Sequence, residues 1–225
     1  MRLPGIDMLR GLAILLVIAS HCYFAANFVP DTWAERTLRN VLSGATVIFV
    51  FVSGVMFHHV FARRYHYRTF LTKKLAALVP PYLLVSAPFL VMLAFSVPAV
   101  GPYEGIGDIL RRLLVGQTFI AYWYIPFILL TFVASPLHMA FIAARPVTRW
   151  IVFAVLLAVS LVLHRSEWDL NPLQSLVYFT PVYLAGILYS LHREALAPYL
   201  PRLAPVLVLT ALAVALTQAH LVTHG

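Results

Sequence analysis

Long apolar stretches recur along the whole chain, and they limit the folds that are open to it. A helix needs about 20 mostly apolar residues to cross the roughly 30 Å hydrocarbon core of a bilayer. Little polar sequence lies between these stretches, since 62% of the 225 residues are hydrophobic and only 11% are charged. A water-soluble domain of this size carries far more charge on its surface. We therefore predict an all-α fold, a polytopic bundle of transmembrane helices.

The lengths of the stretches predict about seven spans and one further helix. The spans are expected at about 7–29, 41–61, 75–97, 122–143, 150–163, 173–191 and 203–221. Segment 106–121 begins with Asp108, Arg111 and Arg112 and has only a short apolar run, which predicts an interfacial or re-entrant helix. Kinks are predicted at the prolines inside three spans, which are Pro88, Pro126, Pro136 and Pro181.

Lysine and arginine are distributed unevenly between the connecting segments. With the N-terminus in the cytoplasm, 11 of the 16 cations fall inside and the other five outside, namely Arg36, Arg39, Arg111, Arg112 and Arg165. Cytoplasmic loops of membrane proteins are enriched in these residues. The bias predicts a multi-pass protein with a cytoplasmic N-terminus, the 62–74 loop inside and the 165–171 loop outside. The same rule accounts for the net charge of +8, and because no nucleic-acid-binding motif accompanies it, we expect no nucleic-acid partner.

The first span contains three ionisable residues, Asp7, Arg10 and His21. Such groups cost about 2.5–3.5 kcal/mol each when they are inserted into a membrane. At 100° per residue, Arg10 and His21 lie about 20° apart on one face and about 16 Å apart along the axis. Asp7 lies one turn before Arg10 and can pair with it. These three residues form a polar stripe along one face of the helix. The stripe either carries out catalysis or proton transfer, or it consists of an ion pair at the membrane interface and a histidine that serves packing.

A resemblance to a known family begins at this span. Asp7-x-x-Arg10-Gly11, followed by His21, resembles the opening of the membrane acyltransferase-3 superfamily, whose members O-acylate sugars and cell-surface glycans. Later segments are similar to that family in the same order. They are segment 47–57, which contains Ser53-Gly54, the basic run that precedes Pro80-Pro81-Tyr82, segment 121–127 and segment 178–190.

Two departures from the family pattern accompany the resemblance. The family usually places two arginines three residues apart in the basic run, whereas this chain reads Lys74-Leu75-Ala76-Ala77 and lacks the second cation. Family members also commonly have more spans than the seven predicted here. We expect residues 1–225 to form a single transmembrane acyltransferase-like domain of a short or truncated member, without the C-terminal spans usual in the family.

The resemblance implies an O-acyltransferase of the plasma membrane, the bacterial inner membrane. It would move an acyl group, acetyl in the first instance, from acyl-CoA to a hydroxyl group of a sugar or polysaccharide. Acyl-CoA would be a co-substrate, and no bound cofactor is implied. A hydroxyl group needs a base to react near neutral pH, and an unperturbed imidazole titrates near about pH 6.5. We therefore assign His21 as the general base, with Arg10, paired with Asp7, orienting the donor or the helix.

The basic segment 58–74 is the expected donor-binding region. The family resemblance implies that Arg68, Lys73 and Lys74 dock the phosphate groups of acyl-CoA. Arginine and lysine bind phosphate in many proteins. The alternative is topological, because positive charge also holds a loop in the cytoplasm.

Acceptor binding is assigned to Trp123, Tyr124 and Ser53. The two aromatic residues would stack against a sugar, or they belong to the aromatic belt at the membrane surface. Ser53 would present a hydroxyl group, or Ser53-Gly54 allows close helix packing. No metal site is predicted, because no carboxylate or thiol joins the histidines of the basic segment, which are His58, His59 and His66.

Two other functions stay open at this point. A proton-coupled transporter or exporter component also fits a kinked bundle with an intramembrane polar stripe. An inactive truncated scaffold fits the missing spans and the missing cation. The expected partners are the lipid bilayer, acyl-CoA and a glycan or sugar acceptor, together with a second copy of the chain or a partner subunit.

Overall fold

The computed structural model describes residues 4–26, 32–95, 104–119, 122–163 and 171–224. All regular structure in these ranges is helical, which confirms the all-α fold. The helices are α1 (Pro4–Ala25), α2 (Trp33–Ser43), α3 (Ala45–Met56), α4 (Tyr67–Ala94), α5 (Ile106–Val115), α6 (Tyr124–Val133), α7 (Ser135–Ala143), α8 (Pro146–Val162), α9 (Pro172–Leu196) and α10 (Leu200–His224). A π-helical turn (Phe57–Phe61) and a 3-10 turn (Ala62–Arg64) follow α3.

Within the described residues, four helical stretches are long and apolar enough to cross a membrane, which are Pro4–Tyr23, Trp33–Arg64, Tyr67–Ala94 and Leu200–His220. The bent pair α6 and α7 gives a fifth span if it crosses as one unit. Helix α8 has only 17 residues, and α9 has 25 but is not apolar enough to belong to the set. The predicted spans all coincide with helices where the chain is described, but the count of seven is not confirmed.

Helix α9 shows why a buried helix is difficult to recognise from hydropathy. Phe179, Tyr183 and Ile187 are at most 3% exposed. A helix that packs against protein on several sides needs fewer apolar residues than one that faces lipid, because neighbouring side chains can satisfy its polar groups. The lower hydropathy of α9 therefore agrees with its burial.

Local sequence signals set several of the helix ends. Helix α2 begins at a capping box, in which the Thr32 hydroxyl accepts from the Glu35 N–H at 3.3 Å and the Glu35 carboxylate accepts from the Thr32 N–H at 2.9 Å. Helix α5 ends at Gly116, whose φ of +79° favours glycine. A Cβ at this position would also lie 2.6 Å from the Cα of Trp123. The predicted helix in segment 106–121 is therefore present as α5.

Of the predicted proline kinks, the clearest lies between α6 and α7, which bend by 51° at Ala134. Pro136 is the second residue of α7, and its missing N–H and its ring prevent a continuous helix through this point. Pro126 instead lies in the first turn of α6, where a helix tolerates proline. Helices α4 and α9 continue through Pro88 and Pro181.

The chain forms two compact units, one of Met1–His59 with Val182–Gly225 and one of Val60–Pro181. In the first unit, α1 packs against α2 and α3, and α2 packs against α10. In the second unit, α4 packs against α6. The predicted site residues are divided between the units, and each unit is described by itself below.

Candidate functional site

The polar stripe of the first unit lies on α1, at the edge of its buried face. Ile6 and Ala13 mark that face, since they are 7% and 0% exposed. At 100° per residue, Arg10 and His21 lie about 40° and 60° from Ile6 around the axis. His21 is half-buried, whereas Arg10 and Asp7, nearer the N-terminus of the helix, are exposed. The stripe therefore faces away from the packed core at its N-terminal end and borders the core at His21.

The expected ion pair between Asp7 and Arg10 is not formed in the part of the chain that the structure describes. An exposed pair at this spacing gains only a few tenths of a kcal/mol, which the ordering of two side chains offsets. The guanidinium of Arg10 is therefore not neutralised by Asp7.

Ser53-Gly54 lies where α3 meets α9 in the first unit. A Cβ at Gly54 would collide with the carbonyl group of Tyr183, and one at Gly186 would collide with the carbonyl group of Phe51. The Ser53 hydroxyl donates to the carbonyl oxygen of Phe49 at 2.9 Å, within its own helix. Glycine thus permits a close backbone crossing here, as small residues do in membrane helices. This geometry favours a packing role for the Ser53-Gly54 pair.

Residues 61–74 of the second unit enclose a pocket of about 120 Å³, which we call the cationic pocket. The wall contains basic side chains, one threonine hydroxyl group and three aromatic rings. The lining residues are Arg64, His66, Lys73, Lys74, Thr69, Phe61, Tyr65 and Phe70. None of these described residues is acidic, and the sequence has no Asp or Glu between Glu35 and Glu104. Basic groups converging on a concave site attract anions, and phosphate groups in particular.

The three predicted donor-binding residues have different positions relative to this pocket. Lys73 is exposed and Lys74 is half-buried, and both line the pocket. Arg68 is exposed but is not one of the lining residues. The structure thus brings two of the three residues together and adds Arg64 and His66.

The predicted acceptor residues Trp123 and Tyr124 belong to an aromatic cluster in the second unit. The Trp123 ring stacks on Phe179, with centroids 6.0 Å apart and an interplanar angle of 20°. Tyr124 packs against Phe127 at 5.6 Å. One face of Trp123 is therefore occupied by a protein ring, which leaves at most the other face for a sugar.

A separate ionic cluster lies on α5. The buried Asp108 carboxylate accepts hydrogen bonds from Arg112 at 2.7 Å and from Arg111 at 3.1 Å. Burial by itself raises the pKa of this carboxyl group, but the hydrogen bonds and charges of Arg112 and Arg111 outweigh it and hold the pKa below its usual value. Within one helix this cluster pairs its two arginines with a carboxylate, in contrast with the cationic pocket, whose described lining residues include no acid.

No group of three or more His, Cys, Asp or Glu residues is arranged to hold a metal ion within the described ranges. His58 instead makes a 2.8 Å hydrogen bond between its Nδ1 and the Ser190 hydroxyl group. This bond lies one helical turn beyond the Gly54–Gly186 crossing, so it supports the packing of the first unit.

Comparison with known proteins identifies the family. The acyltransferase-3 family, described as an acyltransferase domain, matches residues 3–225. The chain belongs to the acyltransferase-3 family. No curated protein and no solved structure shows significant similarity to this acyltransferase-3 protein. Its apolar helices and its family together make it a membrane protein of an acyltransferase family.

Sequence reasoning missed some residues that shape the cationic pocket of this acyltransferase-3 protein. Arg64 and His66 lie within the basic segment but were not assigned to donor binding, although their position among the other cations was a usable signal. Phe132 lies over Lys74 from α6, with the Nζ atom 5.1 Å from the ring centroid. Nothing in the local sequence indicates this contact, because the two residues belong to different helices.

Proposed function

We propose that this protein is an O-acyltransferase that moves an acyl group, acetyl in the first instance, from acyl-CoA to a hydroxyl group of a sugar or cell-surface polysaccharide. The cationic pocket, in a chain of the acyltransferase-3 family, is the observation that carries the proposal. Acyl-CoA is the common biological acyl donor that also carries phosphate groups. A basic, acid-free pocket therefore suits it better than an uncharged donor.

In the proposed reaction, His21 acts as the general base. It accepts the proton of the acceptor hydroxyl group as the oxygen attacks the thioester carbon, so that a C–O bond forms. The C–S bond then breaks, and the departing CoA thiolate takes the proton back from His21. Arg10, whose charge Asp7 does not neutralise, orients the donor or stabilises the negative charge that develops on the carbonyl oxygen.

Orientation follows from the charge bias of the chain. We place the N-terminus and the cationic pocket on the cytoplasmic side of the plasma membrane, where acyl-CoA is made, and the acceptor on the outer side. Residues 165–170 of the expected outer loop lie outside the described residues. Trp123 and Tyr124 are proposed to contact the acceptor through the ring surface that Phe179 and Phe127 leave open.

The test uses acyl-CoA with a labelled acyl group and sealed membrane vesicles of both orientations. Inside-out vesicles that enclose the polysaccharide should transfer label to it from added donor, because their cytoplasmic face meets the impermeant donor and their lumen holds the acceptor. Right-side-out vesicles loaded in the same way should not. His21→Ala should lower the transfer about 10²–10⁴-fold at an unchanged protein level in the membrane. His220→Ala, an exposed histidine of α10, serves as the matched control.

Several outcomes would contradict the proposal. Transfer by right-side-out vesicles alone would reverse the orientation. A His21→Ala variant that keeps half of its activity would remove the base from the mechanism. Proton-driven uptake of a solute without acyl transfer would instead favour a transporter.

A further inference from the structure

The ammonium group of Lys74 is surrounded by aromatic rings. Its Nζ atom lies 4.6 Å from the centroid of Phe61, 5.1 Å from that of Phe132 and 5.8 Å from that of Phe70. All three distances are within the roughly 6 Å at which a cation is attracted to a ring face. The Phe70 ring also packs edge-on against the other two, at 5.2 and 5.6 Å. We call these three rings the aromatic cage.

Two rings of the aromatic cage come from the segment that forms the pocket, and the third comes from another helix. Phe61 and Phe70 line the cationic pocket, whereas Phe132 comes from the last turn of α6. Lys74 itself lines the pocket together with those two rings.

The break between α6 and α7 makes two more contacts with the segment that forms the pocket. The hydroxyl groups of Tyr65 and Ser135 lie 2.7 Å apart. The Tyr67 hydroxyl donates to the carbonyl oxygen of Val133 at 3.4 Å. Together with Phe132, the residues on both sides of Ala134 therefore touch the pocket segment.

Helix geometry explains why these groups are available at the break. Pro136 has no N–H, and the N–H of Leu137 donates to Ala134 at 2.9 Å rather than to Val133. The Val133 carbonyl is thereby released from the helical ladder, and the Tyr67 hydroxyl satisfies it. The break is thus stabilised by the same segment that it supports.

We propose that Phe132 and Ser135 are positioning residues for the anionic donor: they hold Lys74 and Tyr65 on the wall of the cationic pocket before the donor arrives. This inference rests on the proposed function, because it assigns the break of the bent helix pair to donor binding. A lysine side chain has considerable rotamer freedom, and ordering it in advance lowers the entropic cost of binding. Lys73, by contrast, is exposed and makes no ring contact within the described ranges.

The experiment compares substitutions at Phe132 by their effects on KM and kcat for acyl-CoA. Phe132→Leu keeps the apolar contact but removes the ring face, and it should raise KM about 3- to 10-fold with little change in kcat. Phe132→Tyr keeps the ring face and should restore a KM close to that of the unaltered protein. Phe153→Leu, on α8 outside the pocket, is the matched control and should leave KM unchanged.

A double substitution separates positioning of Lys74 from general packing. In a Lys74→Met background the further change Phe132→Leu should have no effect on KM, because the ammonium group that the ring holds is gone. Equal effects of Phe132→Leu with and without Lys74 would overturn the inference. If Phe132→Leu does not accumulate in the membrane, Ser135→Ala against Tyr65→Phe provides the same cycle, with a smaller expected KM rise of about 2- to 5-fold.

Direct binding of coenzyme A to the purified protein distinguishes this inference from the proposed function. Without any acyl transfer, a loss of coenzyme A affinity in Phe132→Leu that depends on Lys74 would support the positioning role while the catalytic proposal fails. Transfer with an unchanged KM and an unchanged coenzyme A affinity in Phe132→Leu would overturn the positioning role and leave the catalytic proposal intact.

Discussion

The polar stripe of α1 and the cationic pocket handle charge in different ways. On α1, Arg10 is exposed, Asp7 does not neutralise it, and His21 is only half-buried. In the cationic pocket, Lys74 is held by three phenyl rings and its neighbours by the break of a bent helix pair. Groups that bind a large, charged substrate benefit from being fixed in advance, whereas groups that act on the reacting atoms must remain accessible. The difference therefore suits a division between chemistry and donor binding.

Substitutions at Arg10 and Asp7 sharpen the first half of this comparison and carry the larger expected effect. Arg10→Met should lower acyl transfer about 10- to 100-fold, because a charged hydrogen-bond donor to the substrate is lost. Asp7→Asn should change transfer by less than about 3-fold, because no Asp7–Arg10 pair exists to be broken. Rates measured in membranes at matched protein levels check both values, with Arg202→Gln on α10 as the control. Equal losses at the two positions would show that the residues act as a pair after all.

Single substitutions of basic residues sharpen the second half of this comparison, which concerns the cationic pocket. Lys73→Gln should raise the KM for acyl-CoA about 3- to 10-fold, as expected for the loss of one phosphate contact. Arg68→Gln should change the KM for acyl-CoA less than about 2-fold, because Arg68 does not line the pocket and no phosphate contact is lost. Steady-state kinetics in inside-out vesicles would measure both. A larger effect at Arg68 than at Lys73 would place the donor outside the cationic pocket.

The helical part of the fold was largely predictable from the sequence, and the count of spans was not. Apolar runs located the spans, and the short charged run located α5, but most of α2 was not predicted because its sequence is polar. Hydropathy alone does not tell whether α9 crosses the membrane, because the burial of Tyr183 and Ile187 lets it carry more polar residues. Similarly, Trp33–Arg64 forms one candidate span of 32 residues because the Thr32 capping box starts the helix well before the apolar run.

The candidate site was predictable in its local parts only. The spacing of Arg10 and His21 follows from helix periodicity, and the cations of the pocket are neighbours in the sequence. The expected Asp7–Arg10 pair did not form, because an exposed pair gains too little to order two side chains. The aromatic cage around Lys74 depends on Phe132 from another helix, and such a contact requires the tertiary fold.

The smallest expected effect is at Asp108, whose carboxylate pairs with Arg111 and Arg112 within α5 and belongs neither to the polar stripe nor to the lining of the cationic pocket. Its pKa is held below the usual value, so its ionised form stabilises the folded protein above about pH 4, and this contribution is lost as the pH falls further. Asp108→Asn should lower the Tm by about 2–4 °C at pH 7, and the difference should shrink below about pH 4. Thermal unfolding in detergent, with Glu104→Gln as control, measures it. A constant difference at all pH values would exclude an electrostatic origin.

The division between chemistry on α1 and donor binding in the cationic pocket is tested most directly by the acyl-transfer assay, with kcat and KM for acyl-CoA measured for two variants side by side. His21→Ala should lower kcat about 10²–10⁴-fold and leave KM nearly unchanged. Lys74→Met should raise KM several-fold and leave kcat nearly unchanged, since it removes binding that the ground state and the transition state share. The account is contradicted if both variants alter the same kinetic parameter, or if neither alters transfer.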